Sequence, residues 1–378
     1  MTCPHCAEPV PPGAAFCEAC GKPVGDGAPA AAPRPADVAD EAAPFDLTAA
    51  TRAPGAKPVS GPRPCLQCGG VVDADGYCGS CGAKAPSERD HFRESPADWV
   101  AGVSDRGIRH ERNEDAMALF ASGDRAVLVV LDGVSNTDDS DVASLAGAKA
   151  ARDALLVPMP GGMGTAESRT AAVSRTFASA VEAAQDAIVA LTEDGSQHPP
   201  SATFSAVVVE GEVLHVANIG DSRSYWIPDT GEGRQLTVDD SVAQAQIAAG
   251  VSRKEAEEGP QGHAITRWLG IDAPDLTPRV SAHQVTGPGW VLNCSDGLWN
   301  YASEPADLAA QIAAAGTSDP QALALALVGF ANRCGGQDNI TVTLARVPGT
   351  MSSPQASPHG SPQTGQATDQ TTQGETDG

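Results

Sequence analysis

Apolar runs broken by polar turns organise the chain from Trp99 to about Val347. Runs at 126–131, 204–209, 213–217, 224–227, 290–294 and 340–347 predict strands. At 140–156, 168–191, 241–249 and 320–334, Ala, Leu and Val recur at the spacing of amphipathic helices. The runs 204–209 and 213–217 are joined by Glu210-Gly211-Glu212, which predicts a hairpin. Strands clustered around two long helices and linked by hairpins predict an α+β fold. Antiparallel sheets with helices packed outside them are expected, rather than a parallel doubly wound sheet.

Outside that region the pattern lapses. Residues 24–64 are rich in Ala, Pro and Gly with few large apolar groups, so they bury no core and read as a linker. A shorter linker precedes the globular part. Beyond Val347 a Ser/Pro/Gln/Thr/Gly composition predicts a disordered tail.

Ten cysteines punctuate the chain, eight of them in Cys-x-x-Cys pairs. Cys3 and Cys6 precede Cys17 and Cys20, and Cys65 and Cys68 precede Cys78 and Cys81. Each pair sets two thiolates on one side of a tight loop, and two such knuckles make a tetrahedral sulfur cage. Glycine follows the second cysteine in three knuckles, and Ala7 takes its place in the first. A redox dithiol is the competing reading, and no βαβ pattern surrounds the pairs to favour it. The quartets resemble zinc ribbons, which implies two structural Zn ions in closed shells and a role in binding a protein partner. Few basic residues accompany them, so nucleic acid is not the expected ligand. Cys294 and Cys334 are expected as core thiols.

The expected organisation has zinc ribbons at 1–24 and 63–84, with a disordered Ala/Pro-rich linker, 25–62, between them. A linker at 85–96, a main domain at 97–347 and a disordered tail at 348–378 complete it. The formal net charge is −24, from 24 basic and 48 acidic residues, which argues against a nucleic-acid surface. The N-terminal residues lack a charged segment followed by an apolar one, and no apolar run is long enough for a membrane span. A cytoplasmic protein without membrane attachment is expected, and its reducing surroundings disfavour a disulfide framework.

Four aspartates stand at the ends of apolar runs or in tight turns: Asp132, Asp221, Asp296 and Asp338. A single aspartate in such a place is most simply a turn or cap residue. Four of them, on rigid and chain-distant strand ends, can converge on one point. Hard divalent cations such as Mg²⁺ and Mn²⁺ require oxygen ligands of this kind.

Seven motifs in order surround those residues. They are Ser104–Asp115 (SDRGIRHERNED), Asp132-Gly133, Ser201-Ala202-Thr203, Gly220–Arg223, Thr266–Gly270, Ser295–Leu298 and Asp338–Thr341. The region 99–347 resembles the metal-dependent Ser/Thr protein phosphatases of type 2C. The resemblance implies a four-layer α-β-β-α sandwich of two antiparallel sheets flanked by helices, with Mn or Mg ions at one end. It assigns catalytic roles to Asp132, Asp296 and Asp338. Asp132 is expected to bridge two ions with the Gly133 carbonyl on one, and Asp296 and Asp338 to complete the first ion's shell. Glu114 reaches the second ion mainly through water, and Asp115 is a direct or outer carboxylate. Asp221 and Asp296 would hold a third ion. A water activated between two ions about 4 Å apart would attack phosphorus in line, without a covalent intermediate.

Two departures from the family pattern stand out. The phosphate-clamping arginine is replaced by His110, flanked by Arg109 and Arg112, so any of the three is a candidate phosphate ligand. An imidazole contact would make phosphate binding pH-sensitive. The Asp-Gly-x-Gly-Gly turn is Asp132-Gly133-Val134-Ser135-Asn136 here, which keeps the ligating Gly133 but leaves the backbone after it less free. The expected function is hydrolysis of phosphoserine and phosphothreonine in proteins, with the ribbons recruiting a partner. The alternatives are a catalytically weak phosphatase-fold scaffold or binding module, and a phosphatase of small phosphorylated metabolites.

Overall fold

The computed structural model describes residues 87–134 and 139–349, together with Thr2, the main chain of 63–64, and residues 70–73, 77–82 and 85. The expected ribbon at 1–24, the linker 25–62, ligands Cys65 and Cys68, and the tail beyond Gly349 lie outside the described residues. Strands β1 (Arg63–Pro64) and β2 (Val71–Val72) pair antiparallel. Val72 then bridges Cys78, whose carbonyl accepts from Gly82 N–H at 2.8 Å across the Cys78–Cys81 turn. That is the local geometry of one knuckle.

The chain continues through β3 (His91–Ala97), β4 (Val100–Asp105), β5 (Ala116–Ser122) and β6 (Arg125–Leu131). Helices α1 (Ser140–Ala154) and α2 (Ala166–Val189) come next. Beyond them lie β7 (Ser201–Ala202), β8 (Phe204–Glu210), β9 (Val213–Ile219), β10 (Arg223–Pro228) and β11 (Arg234–Gln235). Short helices α3 (Val242–Ala248) and α4 (Arg253–Glu257) lead to β12 (Leu269–Gly270), β13 (Arg279–Gln284) and β14 (Gly289–Cys294). The last elements are α5 (Asp296–Trp299), α6 (Pro305–Ala315), α7 (Pro320–Cys334) and β15 (Ile340–Val347).

Two antiparallel sheets result, ordered β11-β10-β14-β15-β4-β3 and β13-β9-β8-β6-β5. The strands explain the layering. On β6, Val127, Val129 and Leu131 pack with α1 and α2, while Ala126 and Leu128 meet Val291 and Ala345 of the opposite sheet. On β15, Ile340, Val342 and Leu344 pack under α6 and α7. Central strands buried on both faces leave no polar stripe, and only outer helices on each side can cover them. The expected four-layer sandwich is therefore the observed fold. No helix among the described residues is long and apolar enough to cross a membrane.

Helix α7 begins and ends where its pattern predicts. Asp319 Oδ1 caps it by accepting from Ala322 N–H at 2.6 Å, Pro320 opens the first turn and Gly335 follows its last residue. The sequence pattern missed β3, β4, β5, β13 and α6. Ala-rich β5 carries no β-branched signal, and β3 (HFRESPA) and β13 (RVSAHQ) are polar edge strands.

Strand β3 also corrects the expected linker at 85–96. Residues 91–97 pair with β4, and Glu94 Oε2 accepts the Leu119 N–H of β5 at 2.8 Å, which fastens this edge to the other sheet. A truncation starting at residue 97 therefore removes a strand of the sandwich. It is expected to be less stable by about 2 kcal/mol or more than a truncation starting at residue 87, since buried partners such as Leu119 N–H are orphaned. Thermal unfolding of the two fragments checks this, and equal midpoints would show that β3 adds nothing.

Candidate metal centre

Antiparallel register places the acidic residues at one end of the sandwich. Asp132 follows β6, Glu114 and Asp115 precede β5, and Leu131 pairs with Ala116. Asp296 follows β14, Asp338 precedes β15, and Cys294 pairs with Val342. Asp221 lies between β9 and β10, where Arg223 pairs with Cys294. Five aspartates from distant parts of the sequence thus meet. Glu114, Asp115 and Asp221 are buried, whereas Asp132, Asp296 and Asp338 are half-buried.

Their mutual repulsion is visible in their acidities. Burial, then Asp115, Asp296, Asp338 and Asp221, pushes the Asp132 carboxyl well above the usual carboxylate range. Asp296 is raised in the same way, by burial and then by Asp338, Asp221 and Asp115. Burial lifts Asp115 to about 6 despite a bond from Ser295 Oγ at 2.6 Å, and Asp221 to about 7. The buried Oδ1 atoms of Asp115 and Asp296 have no hydrogen-bond partner. Orphaned carboxylate oxygens among mutually repelling carboxyls fit a hard divalent cation, which neutralises charge and accepts oxygen ligands. Among the described residues no three Asp, Glu, His or Cys side chains stand as a ready ligand set. It is electrostatics and donor chemistry, not a preformed shell, that call for a cation here.

Two glycines permit the approach. A Cβ on Gly107 (φ +74°) would stand 2.1 Å from the Asp338 carbonyl oxygen, and one on Gly133 would stand 2.5 Å from that of Glu114. Neither loop tolerates a side chain without displacing an acidic residue.

The three phosphate candidates are placed differently. Arg112 gives Nε at 3.0 Å and Nη2 at 2.8 Å to Glu114 Oε1, which also accepts from Ser140 Oγ. His110 Nε2 lies 3.2 Å from Asp338 Oδ1, with Nδ1 3.9 Å from Glu114 Oε2. Arg109 is exposed, and its N–H donates to the Gly336 carbonyl. His110 and Arg112 are thus engaged with site carboxylates, and Arg109 is the cation turned to solvent.

Several residues outside the sequence prediction shape the site. Thr203 and Asp132 exchange two bonds, Asp132 N–H to Thr203 Oγ1 at 3.0 Å and Thr203 N–H to Asp132 O at 2.8 Å. Thr203, in the motif Ser201–Thr203, thereby fixes the main chain of Asp132. Trp299 Nε1 donates to the Asp221 carbonyl at 2.9 Å. Beside the centre a cleft of about 730 Å³ is lined by Arg253, His263, Asp296, Trp299, Tyr301 and Asp338 among others. His263 Nδ1 stands 3.9 Å from Asp296 Oδ2. A histidine far along the chain in a loop gives no local signal of this. Cys294 is a buried core thiol as expected, whereas Cys334 is exposed at the end of α7, against expectation.

Comparison with known proteins agrees with the fold. The family model described as "Protein phosphatase 2C" matches residues 106–325, and that described as "Double zinc ribbon" matches residues 3–82. The chain belongs to the protein phosphatase 2C family and carries an N-terminal double zinc ribbon. A similar relative is the serine/threonine protein phosphatase PstP of Mycobacterium tuberculosis, 32% identical over 250 residues, or 65% of this chain. That match covers 44% of PstP, so the chain spans less than half the length of this relative. The serine/threonine phosphatase stp of Listeria innocua is 28% identical over 244 residues, covering 64% of this chain and 92% of that one. Among solved structures, the Mycobacterium tuberculosis PstP/Ppp phosphatase superposes with a TM-score of 0.55 at 29% identity, covering 66% of this chain and 98% of that one. The S. agalactiae serine/threonine phosphatase gives 0.54 at 25% identity, covering 67% and 98%.

Proposed function

We propose that this protein is a metal-dependent phosphatase that hydrolyses phosphoserine and phosphothreonine in proteins. The observation that carries the reading is the convergence of Asp115, Asp132, Asp221, Asp296 and Asp338 beside an open cleft, with two buried carboxylate oxygens left unpartnered. Asp132, the Gly133 carbonyl, Asp296 and Asp338 would hold a pair of Mn or Mg ions, with Glu114 and Asp115 supporting them. Asp221 and Asp296 would take a third ion. Such ions, when bound, make water a competent nucleophile near neutral pH and neutralise the phosphoryl oxygens.

The chain's own groups do the rest. Arg112 and Ser140 hold Glu114 in one rotamer, Thr203 fixes Asp132, and His110 holds Asp338. Arg109 is free to meet the substrate phosphate, because His110 and Arg112 are engaged with carboxylates. The cleft accepts the chain on either side of the phosphorylated residue. Nothing in this centre discriminates a phosphoprotein from a phosphorylated metabolite, and the family relatives named as Ser/Thr protein phosphatases favour the former. The ribbons, with their Zn-binding cysteines, would recruit a protein partner and raise the local concentration of substrate.

Release of phosphate from a phosphothreonine peptide, dependent on Mn²⁺, tests the reading. Binding without turnover would favour the scaffold, and turnover of small phosphate esters alone would favour a metabolite phosphatase. Arg109→Ala is expected to raise KM for the peptide by roughly tenfold with kcat near the parent value, as for a contact made equally in ground and transition states. Arg112→Ala is expected to weaken Mn²⁺ binding instead, because Glu114 loses the guanidinium and is left with Ser140 to orient it. An unchanged KM in Arg109→Ala would remove that residue from phosphate binding.

A further inference from the structure

The segment between the second cysteine quartet and the sandwich reaches the acidic centre through the side chain of Arg89. Only residues 83–86 separate Gly82 from Ser87. Ser87 to Asp90 forms a tight turn, with Ser87 N–H on Asp90 Oδ2 at 2.8 Å and Arg89 N–H on Ser87 Oγ at 3.1 Å. The turn is pinned to the domain by Arg106 N–H on the Asp90 carbonyl at 2.7 Å and by His91 Nδ1 on Asp105 Oδ2 at 2.6 Å. Arg89 projects from it into the fold. Its Nη2 lies 2.8 Å from the Asp115 carbonyl, 3.3 Å from that of Asn113 and 2.9 Å from that of Asp141 in the first turn of α1. Asn113 Nδ2 answers by donating to the Arg89 carbonyl at 2.9 Å.

Those contacts complete the satisfaction of one short run of main chain. The Glu114 N–H bonds Asn339 Oδ1 at 2.8 Å, and the Glu114 carbonyl accepts from Ser144 Oγ at 2.6 Å. The carbonyls on either side, of residues 113 and 115, both go to Arg89. A single guanidinium therefore ties the loop that carries Glu114 and Asp115 to the N-terminus of α1, whose Ser140 bonds the Glu114 carboxylate. The cation is largely sheltered; Nη2 makes all three carbonyl contacts, and Nη1 is buried without a hydrogen-bond partner. Burial works against its charge, with Asp141, Asp115 and Asp90 opposing that effect.

We infer that Arg89 is a positioning residue for the Glu114–Asp115 carboxylates, through which the segment after the second cysteine quartet helps set the affinity of the centre for divalent cations. The inference rests on the proposed metal centre and deepens it. Outer contacts that orient ligands change metal affinity by roughly 10–100-fold when removed. Lysine does not reproduce the contact, because its ammonium ends one bond short of the position that Nη2 occupies among the three carbonyls.

The test uses the full-length chain, with Mn²⁺ binding followed by titration calorimetry and amide hydrogen exchange followed on the metal-free protein. Arg89→Ala is expected to bind Mn²⁺ roughly tenfold more weakly and to exchange faster at residues 113–115 and 140–144, with exchange in β14 and β15 unchanged. Should that variant not fold, Arg89→Lys is the measured one. It is expected to fold, to lose several-fold in affinity and to show the same local increase in exchange. Parent-like affinity in the folded variant, alongside loss of binding in Asp132→Asn, overturns the inference while leaving the metal centre standing. Parent-like binding in Asp132→Asn overturns the metal centre itself, and the positioning role with it.

Discussion

Asp296→Asn is expected to reduce Mn²⁺-dependent peptide hydrolysis by at least about a hundredfold, equivalent to roughly 2.7 kcal/mol of transition-state stabilisation, while the domain stays folded. Asp296 is assigned to two cation positions, and its Oδ1 is buried without a hydrogen-bond partner. An amide keeps the shape and removes the charge, so the cations lose a ligand that geometry alone does not replace. The metal-free protein should respond in the opposite sense. Burial and three neighbouring aspartates hold the Asp296 carboxyl well above its ordinary range. At neutral pH the fold therefore bears a cost at this carboxyl that an unfolded chain does not. Asparagine abolishes that cost, so the metal-free variant is expected to unfold at the same temperature as the parent or higher. The rise in midpoint that Mn²⁺ gives the parent should shrink in the variant. Parent-like turnover at saturating Mn²⁺ would remove Asp296 from the centre.

The largest effect on stability is expected at Arg223, which no cation touches. This residue is 1% exposed and ties four parts of the chain together. Its guanidinium gives Nη2 to Asp239 Oδ2 and to Glu257 Oε1, both at 2.7 Å, and Nη1 to Ser303 Oγ at 3.0 Å. It lies over the Trp299 ring at 3.6 Å, and that ring's Nε1 holds the Asp221 carbonyl. Arg223→Met retains much of the volume but leaves the buried Asp239 with only Gln235 Nε2 at 3.2 Å, while Glu257 keeps Arg253 and Ser303. Breaking a buried pair from one side costs about 3–5 kcal/mol. For a domain of this size the midpoint is expected to fall on the order of 10 °C. Urea unfolding with Mn²⁺ present measures the difference. Adding Asp239→Asn should recover part of it, because the stranded charge is then gone. A loss below about 1 kcal/mol would mean that solvent reaches Asp239 and Glu257 once the arginine is removed.

Both residues lie in motifs visible in the sequence, Ser295–Leu298 and Gly220–Arg223, yet their partners are not. Asp296 stood out because it ends an apolar run, a local pattern. Arg223 did not, because Asp239, Glu257 and Ser303 are distant in the chain and come from a loop, a short helix and the turn after α5. The same holds for Thr203 against Asp132 and His263 against Asp296.

What the sequence determined by itself is the set of local decisions. The apolar runs at β6, β8, β9, β10, β14 and β15 settled their strands, the capped and proline-opened pattern settled α7, and seven motifs in order assigned the acidic residues. Paired Cys-x-x-Cys knuckles likewise marked the ribbons without any structure. Tertiary structure decided what depends on register and packing. It brought the strand ends to one edge, left the Oδ1 atoms of Asp115 and Asp296 unpartnered, and engaged His110 and Arg112 with carboxylates while Arg109 faced solvent. It also turned the expected linker at 85–96 into an edge strand and a half-buried arginine. Segment 87–97 is polar because one side of it is wet, so hydrophobic patterning cannot find it. Its place in the fold comes from backbone pairing with β4 and from the carbonyls that Arg89 satisfies, and neither leaves a periodic trace in the residues themselves.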